Sequence, residues 1–141
     1  MQPRFCYNKR AQETLAAFVN GGRFPHALLL EGPEGSGRRT FAREIAAALF
    51  CRGEHKPCGS CNQCRKVLEQ NHPDVEYYGG DGSRRSFHID TIRQLRQNAW
   101  LLPGEAPCRV CVLCGAENMT DQAQNALLKI LEEPPSHLMF I

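Results

Sequence analysis

His26-Ala27-Leu28-Leu29-Leu30-Glu31-Gly32-Pro33-Glu34-Gly35-Ser36-Gly37-Arg38-Arg39-Thr40 is the stretch whose reading decides the fold. The unbroken apolar run from Ala27 to Leu30 suits a strand buried on both faces, as strands of a parallel sheet are. Glycines follow at 32, 35 and 37, and an alanine-rich segment of helical period then covers 39–50. Strand, glycine turn and helix in this order form a setting in which backbone amides and a helix N-terminus cradle an anion. Gly32 and Gly37 keep the separation required by the phosphate-loop pattern G-x-x-x-x-G-K-[ST].

The side chains depart from that pattern. Arg38 stands in the lysine position, and a planar guanidinium on a longer stem does not reproduce a compact ammonium tucked under phosphates. Arg39 stands in the Ser/Thr position and has no hydroxyl to ligate magnesium. Thr40 comes one residue late, a rotation of about 100° around a helix. Reading the motif one residue later rescues Thr40 and breaks the glycine spacing. An ATPase also needs an acid ending a later strand to hold magnesium. The candidate strand ends Val112-Leu113-Cys114-Gly115-Ala116-Glu117, with Cys114 and Gly115 where acids are expected and Glu117 in the loop beyond. The sequence therefore predicts a degenerate phosphate loop at Gly32, Gly35, Ser36, Gly37, Arg38, Arg39 and Thr40. Phosphate or sulfate is the expected occupant, with no magnesium-ATP hydrolysis and no catalytic residue. The plainer alternative is a glycine turn that binds nothing.

Working outward, helical periodicity predicts helices over 8–19, 39–50, 63–70, 89–100 and 122–132, and apolar runs predict strands over 26–31, 74–78, 109–114 and 138–141. Asn20-Gly21-Gly22 stops the first helix, Asp90 is the expected N-cap of the fourth, and Thr120 or Asp121 caps the fifth. Gly79-Gly80-Asp81-Gly82 ends the second strand, and Pro134-Pro135 ends the last helix. Alternating strands and helices predict an α/β fold with a parallel sheet and right-handed crossovers. The 141 residues, 42% of them hydrophobic, suffice for one domain with its own core. Leu138-Met139-Phe140-Ile141 ends without a turn or polar tail, so the chain is expected to be the front part of a longer protein.

Behind the glycine turn lies a polar insert over 51–72 with the spacing C-x6-C-x2-C-x2-C at Cys51, Cys58, Cys61 and Cys64. Pro57, Gly59, Ser60 and Asn62 are turn formers that let four thiolates converge on one tetrahedral ion, so the insert is expected to hold a structural zinc. Cys51 follows Leu49-Phe50 at a helix end and has a packing alternative, with His55 as replacement ligand. His72 is read as a capping or packing residue. Cys108, Cys111 and Cys114 repeat the C-x2-C-x2-C spacing along a strand, where residues three apart face opposite ways, and are read as a decoy. Cys6 carries no argument.

The N-terminus Met1-Gln2-Pro3-Arg4-Phe5 lacks the apolar core of a signal peptide, and no apolar run approaches the roughly 20 residues of a membrane span. A cytoplasmic location, with no membrane partner and reduced thiols, is expected. A net charge of +2 is too mild to announce nucleic-acid binding. Arg38, Arg39 and Arg43 cluster, as do Arg84 and Arg85, and the second pair is read as solvated.

Three blocks carry a family resemblance: His26 to Leu30 with its glycine turn, the cysteine insert closed by His72-Pro73-Asp74, and Asn125-Ala126-Leu127-Leu128-Lys129-Ile130-Leu131-Glu132-Glu133-Pro134-Pro135. Over nearly its whole length the chain resembles the N-terminal AAA+ module of bacterial clamp-loader subunits of DNA polymerase III. That resemblance implies a RecA-like, three-layer P-loop NTPase domain over 1–141, incomplete at its C-terminus, with a zinc-binding insert at 51–72. Arg38, Arg39, Cys114 and Gly115 set it nearer the eroded delta-prime branch than the motor branch of gamma/tau type. The branch implies a rigid stator in a five-membered ring that loads the sliding clamp on primed DNA. Its partners would be gamma/tau-type and delta-type subunits, with clamp and DNA met indirectly. The arginine finger, helical lid and collar of the family are expected beyond these residues. Asn125 to Leu131 reads as a core stripe, with Glu132 and Glu133 solvated or meeting a partner subunit. The competing readings are an active AAA+ ATPase with Arg38 in place of lysine, and a P-loop kinase, to which the zinc insert is foreign.

Overall fold

The computed structural model describes residues 8–79 and 87–141, and its residues cluster into two compact units, Met1–Pro25 with Leu29–Val75 and His26–Leu28 with Glu76–Ile141. The glycine turn and the thiol insert fall in the first, and most of the sheet in the second.

The first unit is helical. α1 (Lys9–Gly21) starts where the Asn8 side chain accepts the Ala11 N–H, and ends where Gly22 turns left-handed at φ 62°. Only Leu15 of its apolar stripe is buried, and the Phe18 ring packs on Phe24 with centroids 5.9 Å apart. α2 (Arg38–Phe50) is the heart of the unit: Phe41, Ala42, Ile45, Ala46, Ala47, Ala48 and Phe50 are all buried. Small alanines on so enclosed a helix let α3 (Asn62–Leu68) approach closely and bury Cys64 and Val67 completely.

In the second unit β1 (Val75–Gly79), β2 (Arg109–Cys114) and β3 (Leu138–Phe140) form a sheet of order β1-β2-β3. β2 and β3 run parallel, with Arg109 opposite Leu138, Val110 opposite Met139 and Cys111 opposite Phe140. α4 (Ile89–Asn98) and α5 (Asp121–Glu132) contribute Ile92, Leu95, Ala123, Leu127 and Ile130 to a core shared with Tyr78, Cys111, Leu138 and Phe140. Thr120 caps α5 by accepting the Ala123 N–H, one of the two caps expected there. At Gly79, φ is 93° and a Cβ would run into the Cys114 carbonyl and the Phe87 ring, so the end of β1 admits glycine alone.

Two expectations are corrected. The apolar run over 26–31 does not form a doubly buried strand. Ala27 makes a single parallel bridge to Phe140, Leu28 donates its N–H to the Phe140 carbonyl, and Leu29 is 84% exposed. The described residues of the run form that one bridge and no named strand. Apolarity alone does not supply pairing partners. Asp90 is also not the N-cap of α4. His88 occupies that position without a side-chain bond, and Asp90, inside the first turn, pairs with Arg93 at 3.0 Å. The turn at Gly80, Asp81 and Gly82, the pair Arg84 and Arg85, and Cys6 lie outside the described residues. Among the described residues no helix is long and apolar enough to cross a membrane.

Candidate metal centre and glycine turn

The thiol cluster is assembled from helix ends. Cys51 is the C-cap of α2, Cys61 is the N-cap of α3, and Cys64 lies in the first turn of α3. Cys58 reaches them from the intervening turn, which Gly59 closes in the left-handed region at φ 72°. All four sulfurs lie within 4.8 Å of one another, and this is the sole such group among the described residues. Four Zn–S bonds of about 2.3 Å set tetrahedral sulfurs about 3.8 Å apart, so the cluster needs little contraction to close on zinc.

Backbone donors surround the sulfurs. The N–H groups of Gly53 and Cys58 both point to the Cys51 Sγ at 3.3 Å, that of Cys61 to the Cys58 Sγ at 3.3 Å, and that of Cys64 to the Cys61 Sγ at 3.5 Å. Donors fixed in this way hold negative charge on sulfur, as thiolate ligation requires. The Cys61 amide, then Ser60, brings the Cys58 thiol down to about 5. For Cys61, burial pushes upward, but the amides of Cys64 and Arg52 outweigh it and the thiol is lowered. Burial raises Cys64, whose thiol donates to the Ala47 carbonyl at 3.6 Å. A cation would repay the desolvation of Cys64, so the donor set fits a soft, thiophilic ion such as zinc.

His55, the alternative ligand, is exposed and lies outside the group. His72 packs its ring on Phe50 at 4.8 Å, accepts the Asp74 N–H on Nδ1 at 3.0 Å, and therefore donates from Nε2 to the Gln63 side-chain oxygen. It thus ties the end of the insert back onto α2 and α3.

The glycine turn sits at the other end of α2. Ser36 donates its N–H to the Pro33 carbonyl at 3.1 Å, and Gly35 and Gly37 take φ of 78° and 82°. A Cβ on Gly32 would meet the Ser36 Oγ at 2.9 Å. Gly37 is the N-cap and offers no side chain, so the cap leaves the first-turn amides of α2 without a side-chain acceptor. Arg38 is half-buried, Arg39 is exposed, and the Thr40 hydroxyl accepts from Arg43 Nη2 at 3.4 Å. In the second unit β2 ends on buried Cys114, followed by Gly115 at φ 77°. Gly115 caps a 3-10 turn, Ala116–Asn118, which carries Glu117 exposed. Cys111 and Cys114 are both buried along β2, and burial pushes the Cys111 thiol up to about 12.

A buried polar network escaped the sequence reading. Arg109, 6% exposed, donates to the Glu76 carboxylate, Tyr78 donates its hydroxyl to the same carboxylate, and Asn98 Nδ2 donates to the Tyr78 oxygen at 3.2 Å. Burial chiefly, and then Glu76, raise the Tyr78 hydroxyl. The network fastens β1, β2 and α4 together. The alternation of Glu76 and Tyr78, two apart on β1, was its one signal in the sequence.

An α/β domain with a parallel strand pair and a four-cysteine insert is the class these features define. Its fold matches a DNA polymerase III gamma-subunit-related protein of Thermotoga maritima, with a TM-score of 0.58 and 24% identity, over 91% of this chain and 37% of that one. The chain belongs to the family described as DNA polymerase III, delta subunit, whose model matches residues 7–141. Its curated relatives include the delta′ subunit of DNA polymerase III from Yersinia pestis, 37% identical over 122 residues, and the gamma/tau subunit from Mycobacterium tuberculosis, 35% identical over 129. The delta′ subunit of Bacillus subtilis is 32% identical over 134 residues. These alignments take in 85%, 90% and 94% of this chain, but only 36%, 22% and 40% of the respective relatives.

Proposed function

We propose that the chain is the N-terminal, P-loop-type part of a clamp-loader subunit of DNA polymerase III that does not hydrolyse ATP and serves as a stator beside ATPase subunits. The observation that carries this reading is the glycine turn at α2. It sets left-handed glycines at 35 and 37 ahead of α2, and Arg38 and Arg39 stand at the motif positions that would supply the phosphate-binding ammonium and the magnesium-binding hydroxyl. In the second unit, β2 ends on Cys114 and is followed by Gly115, the positions where the sequence pattern of an ATPase would have acids. The turn is then left with one capacity, holding phosphate or sulfate on the first-turn amides of α2.

In this reading Cys51, Cys58, Cys61 and Cys64 hold a structural zinc, which would cross-link the end of α2 to the start of α3. Its partners are gamma/tau-type and delta-type subunits, with the sliding clamp and primed DNA reached through them, in the cytoplasm. The second reading is an active AAA+ ATPase with Arg38 in the lysine position. The half-buried setting of Arg38 at the start of α2 favours it. One experiment separates them: ATP binding and turnover measured on the protein with magnesium. The stator reading expects no turnover. Turnover that disappears in Arg38→Ala would overturn it in favour of the ATPase.

A further inference from the structure

We infer that Trp100, Leu101 and Leu102, which follow the end of α4, form with Arg96 a docking surface for a short amphipathic helix of another protein, one with carboxylates flanking its apolar stripe. The three residues are consecutive, and they are 65%, 53% and 76% exposed. Single surface leucines need no explanation, but a run of large apolar side chains in water, one of them the chain's single tryptophan, marks a place of contact. The ground beneath them is firm. Leu95 and Ala99 are completely buried, and the Ala99 N–H donates to the Leu95 carbonyl at 2.8 Å. His137 Nε2 donates to the Ala99 carbonyl at 3.2 Å, and the Leu101 N–H donates to the Asn98 carbonyl at 3.0 Å. Asn98 is itself tied to the Tyr78 oxygen. A patch carried on backbone already held in this way loses little freedom when it is covered.

Charge and size select the occupant. Arg93 is taken up by Asp90, whereas Arg96, exposed one helical turn ahead of Trp100, has no acid partner among the described residues. A carboxylate on the incoming segment completes that pair and sets its register. Three such side chains offer on the order of 300–400 Å² of apolar surface. A stable dimer needs about 800 Å² from each partner, so a second copy of the chain does not suit the patch. Two or three turns of an amphipathic helix present a stripe of the right extent. A lipid surface does not suit it either, because lipid recognition draws on clusters of about four to eight cations and α4 carries two, one already paired. The inference draws on neither the glycine turn nor the thiol cluster, and it stands or falls apart from both.

Trp100 is its own reporter, as the chain's one tryptophan. The test titrates the protein as purified, without chelator, with a synthetic amphipathic helix of leucine and glutamate, and separately with its counterpart of leucine and lysine. The expected result is a saturable shift of the indole emission to shorter wavelength, with the glutamate peptide binding about tenfold or more tighter than the lysine peptide. Leu102→Asp should weaken the glutamate peptide by about tenfold or more, and Arg96→Glu should reverse the preference between the two. The absence of any shift, equal affinity for both peptides, or a Leu102→Asp protein that binds like the parent overturns the inference. So does a shift brought about by raising the protein concentration alone, which assigns the patch to a second copy. A shift with phosphatidylserine vesicles and none with the glutamate peptide overturns it in favour of a lipid surface. Should Leu102→Asp fail to fold, the choice of the parent protein between the two peptides decides alone.

Discussion

The two ends of α2 make an instructive pair. At its C-terminal end, Cys51, Cys58, Cys61 and Cys64 come together with every sulfur-directed amide in place and a stacked His72 beside them. At its N-terminal end the glycine turn has left-handed positions at Gly35 and Gly37, and in the proposed reading Arg38 and Arg39 stand where a nucleotide site would place a lysine and a hydroxyl. Backbone form and side-chain chemistry are separable. A turn of glycines can be kept for its φ values alone, because few other residues adopt them. A metal knuckle persists only as a complete set, since three thiolates without the fourth leave an open coordination position.

That contrast predicts unequal sensitivity, greatest at the thiol end. Cys64→Ala should reduce bound zinc from about one per chain to none and lower the unfolding free energy by more than about 3 kcal/mol, because structural zinc sites in small modules are worth about 10–16 kcal/mol of apparent binding. Metal analysis and urea unfolding measure both, and a variant that keeps its zinc breaks the comparison. Phe50→Ala comes next. Phe50 is 2% exposed and carries the His72 ring, so its loss should cost about 3–5 kcal/mol in urea unfolding. A cost under about 1 kcal/mol would mean that the insert is held by its thiols alone.

At the other end Gly37→Ala forces a Cβ into a left-handed position at φ 82°, at a cost of about 1–2 kcal/mol. The comparison is sharpened by measuring phosphate affinity in the same variant by calorimetry. If the turn is a cradle, affinity falls together with stability. If stability alone changes, the glycines serve the backbone and nothing else.

What could be read in the sequence follows the range of the interactions involved. Helix starts and stops are local: Asn8, Gly22 and Thr120 act within four residues of themselves, and each marks its helix in the structure. The thiol spacing is local too, because the four cysteines fall within one insert between α2 and α3. The first apolar run was misjudged because burial on two faces depends on neighbours that its own residues do not specify. Asp90 was misjudged by a smaller margin. Periodicity placed the helix start at Ile89, where it is, and a cap precedes the first helical residue, so Asp90 falls in the first turn and the cap position goes to His88. Arg109 is the opposite case: 33 positions separate it from Glu76, and no local pattern announces a buried ion pair of that span.

The smallest effect is the most telling. Placing the motif's side chains with Arg38→Lys and Arg39→Thr together should leave stability within about 0.5 kcal/mol, because Arg39 is exposed and Arg38 only half-buried at a helix start. Phosphate affinity should change by less than tenfold, since the amides of α2 are untouched. ATP turnover should stay at background, because magnesium needs an acid as well as a hydroxyl and β2 still ends on Cys114 and Gly115. A restored protein that hydrolyses ATP would show that the erosion lies in two side chains alone. One that does not would show that these two side chains alone do not make the N-terminal end of α2 an ATPase site.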